Sequence, residues 1–262
     1  MTSLAERTIA SLRRLHDDLA ALVPSLSAEQ LSGPSGASEW SVAQVLSHLG
    51  SAAEIAAAPY RAGLDGTEAP GPDFNPGVWD RWNALGPQQQ ADGFVASDAA
   101  LLALLESLTP EQRETAEIKL GFLPAPLPLA SVAGMRLNEV AQHAWDVHVA
   151  LDPAATVDEE AAAVVLEHFA GGLGFLLGFT GKADRLTEPA VVRIDGTDLA
   201  IAVADSVALV PDAGAATATF TGGPEAVVRL LGGRLGPAYT SEQVAVTGNV
   251  TLDDLRRVFP GY

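Results

Sequence analysis

The chain carries five histidines, His16, His48, His143, His148 and His168, and no cysteine. Without cysteine there is no disulfide, no thiolate metal ligand and no cysteine nucleophile, so any sulfur chemistry must use an external thiol. Glu139 and His143 stand four residues apart, which on a helix places both side chains on one face, about one turn from each other. With 33 acids among 262 residues, such a pair is close to chance expectation. His48 adds weight, because it falls in the middle of a second predicted helix that can present it towards the same axis. Helical bundles build metal sites from side chains on facing helices in this way. Two imidazoles and one carboxylate form a three-donor set for Zn²⁺ or a similar divalent ion, leaving one coordination position open for water or substrate. Asp146, three residues after His143, can orient a ligand imidazole. Spacing alone is equally compatible with His48 as a hydrogen-bonded core histidine and Glu139–His143 as an ordinary helix-surface pair.

The elements that must position these groups begin with a helix over 4–23, where Leu4, Ile9, Leu12, Leu15, Leu19 and Leu22 recur at helical spacing and Pro24 ends the run. A second helix is expected from near Trp40, with Ser41 and Gln44 as a capping box, towards Ala58 before Pro59. The stretch 62–87, rich in proline and glycine, reads as a long irregular connection in which Phe74, Trp79 and Trp82 can wall a pocket. A third helix over 88–108 takes its apolar side from Phe94, Leu101, Leu102, Leu104 and Leu105. Thr109, Pro110 and Gln112 start another helix. After the proline-rich 123–128, a fourth long helix is expected over 133–151, closed by Asp152-Pro153. Four such helices predict an antiparallel bundle over residues 1–152.

From 153 to 262 the pattern changes to a small mixed α+β domain. Thr156 and Glu159 are expected to cap a helix reaching Phe179. Short β-branched runs follow at 190–194, 199–203, 206–210 and 216–221, with Asp195-Gly196 as a hairpin turn. Gly223-Pro224 opens a helix through Leu231, Val244 to Thr247 reads as a strand, and Thr251 with Asp254 caps a last helix. The fold class is therefore α+β, a helical bundle followed by a mixed domain.

Composition narrows the function classes. Fifteen basic against 33 acidic residues give a net charge of −18. The only lysines are Lys119 and Lys182, and no basic run exists to displace counterions, which argues against nucleic acid and against anionic membranes as partners. Hydrophobic residues at 48% with charged ones at 18% can build a large core and exclude disorder. The apolar stretch 161–180 is interrupted by Glu167, His168 and several glycines, a poor spanning segment. The amino terminus lacks an uninterrupted apolar run, so a cytoplasmic location is expected.

The segment from Trp40 to Leu49, WSVAQVLSHL, resembles the second-helix signature of DinB-like four-helix bundles, in which a tryptophan-led helix carries the first metal histidine. The segment from Met135 to Val147, MRLNEVAQHAWDV, resembles the fourth-helix signature of the mycothiol-dependent maleylpyruvate isomerase branch, where an arginine, a glutamate, a histidine and an aspartate recur at these spacings. Residues 231–235, LGGRL, with VAVTGN at 244–249 and VFPG at 258–261, are similar to that family's sterol carrier protein-like carboxy-terminal domain, although Gly232 stands where the family usually has a large residue.

The resemblance implies a metal triad of His48, Glu139 and His143, with zinc as the leading metal among the divalent ions this donor set accepts. It also implies mycothiol as the thiol cosubstrate and a small electrophilic substrate, with the reaction either cis-trans isomerisation of a maleylpyruvate-like diacid or transfer of the thiol to an electrophile. Asp146 is a candidate support for the metal ligands. Arg234, in the Gly-Arg motif, and Arg81 are candidate partners for a substrate carboxylate. Two rival readings are a metal-dependent hydrolase using activated water and a non-catalytic carrier of an apolar ligand. Gly171-Gly172 and Gly222-Gly223 are not phosphate loops, since neither precedes a Lys followed by Ser or Thr.

Overall fold

The structure, a computed structural model, describes residues 2–212 and 214–261. It divides into two compact units, Met1–Asp152 and Pro153–Tyr262.

In the first unit α1 (Leu4–Leu22) opens on a Ser3/Glu6 capping box, and Pro24 lies in a tight 3₁₀ turn after it. The short α2 (Ala28–Ser32) leads to α3 (Val42–Asp65). The capping box expected at Ser41 is present: the Gln44 amide donates to Ser41 Oγ at 3.2 Å and the Ser41 amide donates to Gln44 Oε1 at 2.8 Å. The expected stop before Pro59 is not. The helix runs through Pro59 to Gly66, whose φ of 66° closes it. Proline removes one ladder bond and crowds the preceding turn, but Ala57, Tyr60 and Ala62 around it are buried and hold the helix on course.

A second correction concerns 62–87, which is not irregular throughout. It contains α4 (Phe74–Asn83), because Pro76 falls in the first turn, where a missing amide leaves no bond unmade. Trp82 of α4 is buried, and its ring fills a notch made by Gly50 and Gly93; a Cβ on Gly50 would lie 2.2 Å from it. Helix α5 (Pro87–Glu106) and the capped α6 (Pro110–Thr115) follow, then a two-stranded ribbon of β1 (Glu117–Ile118) and β2 (Leu127–Pro128) that was not foreseen. Helix α7 (Leu129–His148) begins and ends several residues earlier than expected.

The long helices α1, α3, α5 and α7 form the bundle. His16 meets Asp98 while Arg13, one turn earlier, meets Glu106, two turns later, so α1 and α5 run antiparallel. The same reversal relates α3 to α7, where His48 meets Glu139 and Leu49 meets Arg136.

In the second unit α8 (Glu159–Ala170) is capped by Asp158 Oδ1, which accepts from the Ala161 amide, and not by Thr156. It stops at Gly171, short of the expected Phe179, because the glycine pair ends the helical path; α9 (Leu177–Thr180) follows separately. Strands β3 (Ala190–Ile194), β4 (Leu199–Val203), β5 (Val207–Pro211), β6 (Ala218–Thr221) and β7 (Ala245–Gly248) form one sheet in the order β5-β4-β3-β6-β7. Only the β3–β6 pair is parallel. Gly196 turns the β3–β4 hairpin at φ 77°, as Asp195-Gly196 predicts. Helices α10 (Gly223–Leu231) and α11 (Leu252–Val258) complete the unit, the latter with the Thr251/Asp254 capping box. Among the described residues no single helix is long and apolar enough to cross a membrane.

Candidate metal centre

The cap at Ser41 starts α3 so that His48 falls on its second turn, facing α7. Glu139 and His143 follow one another along the facing side of α7. His48 Nε2 lies 3.2 Å from Glu139 Oε2, and His143 Nε2 lies 3.7 Å from the same oxygen. One donor atom from each of the three residues fits within 4.8 Å of the others. Donors about 2.0–2.2 Å from a tetrahedral zinc ion stand about 3.3–3.6 Å apart, so the spacing and the chemistry of this donor set fit a divalent cation.

Neighbouring groups fix the ligands' orientation. His143 Nδ1 is 2.8 Å from Oδ2 of Asp146, a residue with no solvent exposure. With a carboxylate as acceptor, Nδ1 is the donor, which leaves Nε2, the atom facing Glu139, as the one that would bind a cation. Asp146 is itself placed by the loop before α3: the Gly36 amide donates to the Asp146 carbonyl at 2.8 Å, and a Cβ on Gly36 would come within 2.8 Å of Asp146 Oδ1. The Trp40 ring lies 5.0 Å from the His48 ring and 5.9 Å from the His143 ring, nearly parallel to the latter. Its indole therefore walls one side of both imidazoles.

Burial pushes the Glu139 carboxyl upward, but the hydrogen bond from His48 and the charges of His143, His48 and Arg136 outweigh it and hold the group at about 2. The Glu139 side chain is still 41% accessible, against 13% for His143. A charged, accessible oxygen beside two imidazoles is what an incoming cation needs.

The other candidates lie elsewhere in the fold. Arg81 Nη2 donates to Glu54 Oε1 at 2.5 Å, and Trp82 Nε1 donates to the other oxygen of Glu54 at 3.1 Å, so Arg81 sits in an ion pair on the α3–α4 face. Arg234, in the second unit, donates from Nη1 to the Gly232 carbonyl at 3.1 Å. Gly233 beside it has φ 72°, and a Cβ there would lie 2.3 Å from Gly261. His148 pairs with Asp18, and His168 is buried within α8. Of the pocket expected around three aromatics, Trp82 is core and Trp79 is 48% exposed. Sequence reasoning missed Asp98, a buried acid bonded to both His16 and Arg136; nothing local distinguishes it among 33 acids.

Two uncharacterized proteins of Mycobacterium tuberculosis, from two strains, are each 28% identical to this chain over 165 residues, covering 59% of it and 76% of their own length. The fold is similar to crystal structures of the mycothiol-dependent maleylpyruvate isomerase and of a histidine-to-alanine mutant of it. Both give a TM-score of 0.65, cover 95% of this chain and 98% of the other, and are 17% and 16% identical. The family described as the mycothiol maleylpyruvate isomerase N-terminal domain matches residues 12–148, a span that takes in α3, α7 and all three candidate ligands. That match covers more than half of the chain, and the chain belongs to this family.

Proposed function

We propose that this protein is a mycothiol-dependent isomerase that uses a divalent cation, zinc first, to convert a maleylpyruvate-like cis diacid into its trans isomer by reversible addition of the thiol. The observation that carries the reading is the meeting of His48, Glu139 and His143, from two helices and 91 positions apart in sequence, with 3.2 and 3.7 Å between donors. The family and the shared fold support it. When bound, the cation would supply a thiolate at neutral pH from a thiol that otherwise keeps its proton.

The chain's own groups do the rest. Asp146 holds the Nδ1 proton of His143 and so keeps Nε2 free to donate its lone pair. Trp40 covers one side of the imidazoles, so thiol and substrate must approach past the accessible Glu139. A diacid approaching a chain of net charge −18 needs local positive charge. A bound cation would supply part of it, and Arg81, by exchanging its exposed pairing with Glu54, is the side chain we assign to a substrate carboxylate.

The test is turnover of maleylpyruvate by the purified protein with and without added mycothiol, beside elemental analysis of wild type and His48→Ala. Thiol-dependent formation of the trans isomer, with about one divalent ion per chain that the variant lacks, is expected. Accumulation of a stable thiol adduct would make the protein an S-transferase. Turnover that ignores thiol would remove the thiol-dependent reading, hydrolytic cleavage products would make the protein a hydrolase, and trace metal in both proteins would favour a carrier.

A further inference from the structure

Beside the three donors the bundle closes around a buried ionic cluster to which every long helix contributes. His16 Nδ1 of α1 lies 2.9 Å from Asp98 Oδ2 of α5. Arg136 Nη2 of α7 donates to Asp98 Oδ1 at 2.7 Å and to the backbone carbonyl of Leu49 of α3 at 2.9 Å. The three side chains are only 3–6% accessible. Burial pushes the Asp98 carboxyl upward, but the Arg136 charge and the bonds from His16 and Arg136 bring it below its ordinary value, so it carries charge in the core.

Buried ion pairs seldom stabilise a fold more than well-packed apolar side chains would, and their best-attested role is to specify register. This cluster also carries loose ends. Arg136 Nε and Nη1 and the hydroxyl of the buried Tyr60 find no partner among the described residues, which counts against stability as its purpose. Its position is informative. Leu49 immediately follows His48, and Arg136 precedes Glu139 by one turn, so the bond between Arg136 and the Leu49 carbonyl ties together the two backbone segments that carry the donors. Sliding α3 by one turn, about 5.4 Å, would separate His48 from Glu139, and it would also strip Arg136 of a buried acceptor.

We infer that Arg136 and Asp98 are positioning residues for the metal centre: the Arg136 guanidinium, anchored on Asp98, grips the Leu49 carbonyl and sets the register of α3 against α7 at which His48 meets Glu139 and His143. This rests on the metal-centre reading above. Nη2 alone serves two acceptors on different helices, and the planar guanidinium fixes the directions of its two N–H bonds, which a freely rotating ammonium on the shorter lysine stem does not.

The experiment is titration of the intact, metal-free protein with Co²⁺, read as affinity and as the shape of the visible d–d band, for wild type, His48→Ala, Asp98→Asn, Arg136→Lys and the core control Leu105→Ala. Asp98→Asn and Arg136→Lys should each weaken Co²⁺ binding by about tenfold, the size of effect seen when groups supporting metal ligands are removed, and should alter the band. Leu105→Ala removes buried α5 packing outside the cluster; its melting temperature should fall while its Co²⁺ affinity and band stay those of wild type. Should Asp98→Asn and Arg136→Lys fail to fold, His16→Ala, which leaves the Arg136–Asp98 pair intact, is read the same way and should show a smaller loss in the same direction. Wild-type affinity and band in the folded cluster variants would overturn the inference and leave the metal centre standing. If wild type and His48→Ala bind Co²⁺ equally, the metal-centre reading falls and takes this inference with it.

Discussion

Replacing Asp146 by Asn keeps the volume of the side chain and removes its charge at a position with no solvent exposure. The 2.8 Å bond to His143 Nδ1 lies in the short range of charge-assisted hydrogen bonds, and no solvent reaches the carboxylate to screen it. Losing the outer partner of a metal-binding histidine costs about 10–100-fold in metal affinity, or about 1.4–2.7 kcal/mol. The carboxamide oxygen can still accept the Nδ1 proton, so the ring keeps its orientation and only the charge is lost. That places the expectation near the lower end, about tenfold. Competition against a chromophoric chelator at neutral pH measures the zinc affinity, and a thermal melt on the same samples confirms that the bundle is intact. A folded Asp146→Asn protein that binds zinc as tightly as wild type would refute the reasoning, because His143 would then owe its orientation to something other than this carboxylate.

Two further outcomes follow from the packing. Asp98 titrates below its ordinary value in the folded chain, so the folded state takes up that proton less readily than the unfolded one. Its contribution is full above about pH 4 and fades as the pH falls through the folded value. Urea melts of wild type and Asp98→Asn should differ most at neutral pH and converge in acid; a constant gap would contradict the charge assignment. Gly50→Ala places a methyl group 2.2 Å from the Trp82 ring and 2.9 Å from the Phe94 backbone, with Trp82 pinned through its Nε1 to Glu54. Overpacking of this kind costs about 1–3 kcal/mol. The melting temperature should drop by several degrees, with a shift in tryptophan emission, and an unchanged melt would mean that the ring moves aside freely.

What could be read from the residues themselves was mostly local. The capping boxes at Ser41/Gln44, Thr109/Gln112 and Thr251/Asp254 are four-residue patterns whose partners stand three positions apart, and all three are formed. Helix α4 was hidden because Pro76 and Gly77 read as breakers, although at a helix start neither breaks a bond that the helix would otherwise make. The glycines at 171 and 172 had the opposite effect: their run of apolar neighbours masked a real stop. His48, Glu139 and His143 could be proposed as a set only by pairing a four-residue spacing with a remote histidine. Asp98 could not be proposed at all, since its partners lie 82 and 38 positions away and only the packing of α1, α5 and α7 brings them to it.

The division of the three donors between helices, two on α7 and one on α3, bears on how the protein would respond to denaturant. Glu139 and His143 remain four residues apart even when the bundle has come undone, so the unfolded chain keeps a chelating pair while losing only the histidine from the other helix. A cation that grips both states shifts the folding equilibrium by the difference between the two affinities, not by the whole of the stronger one. Saturating metal should therefore raise the unfolding midpoint by less than its affinity for the native protein implies, and moving one donor of the α7 pair to a different helix would bring the rise closer to that value.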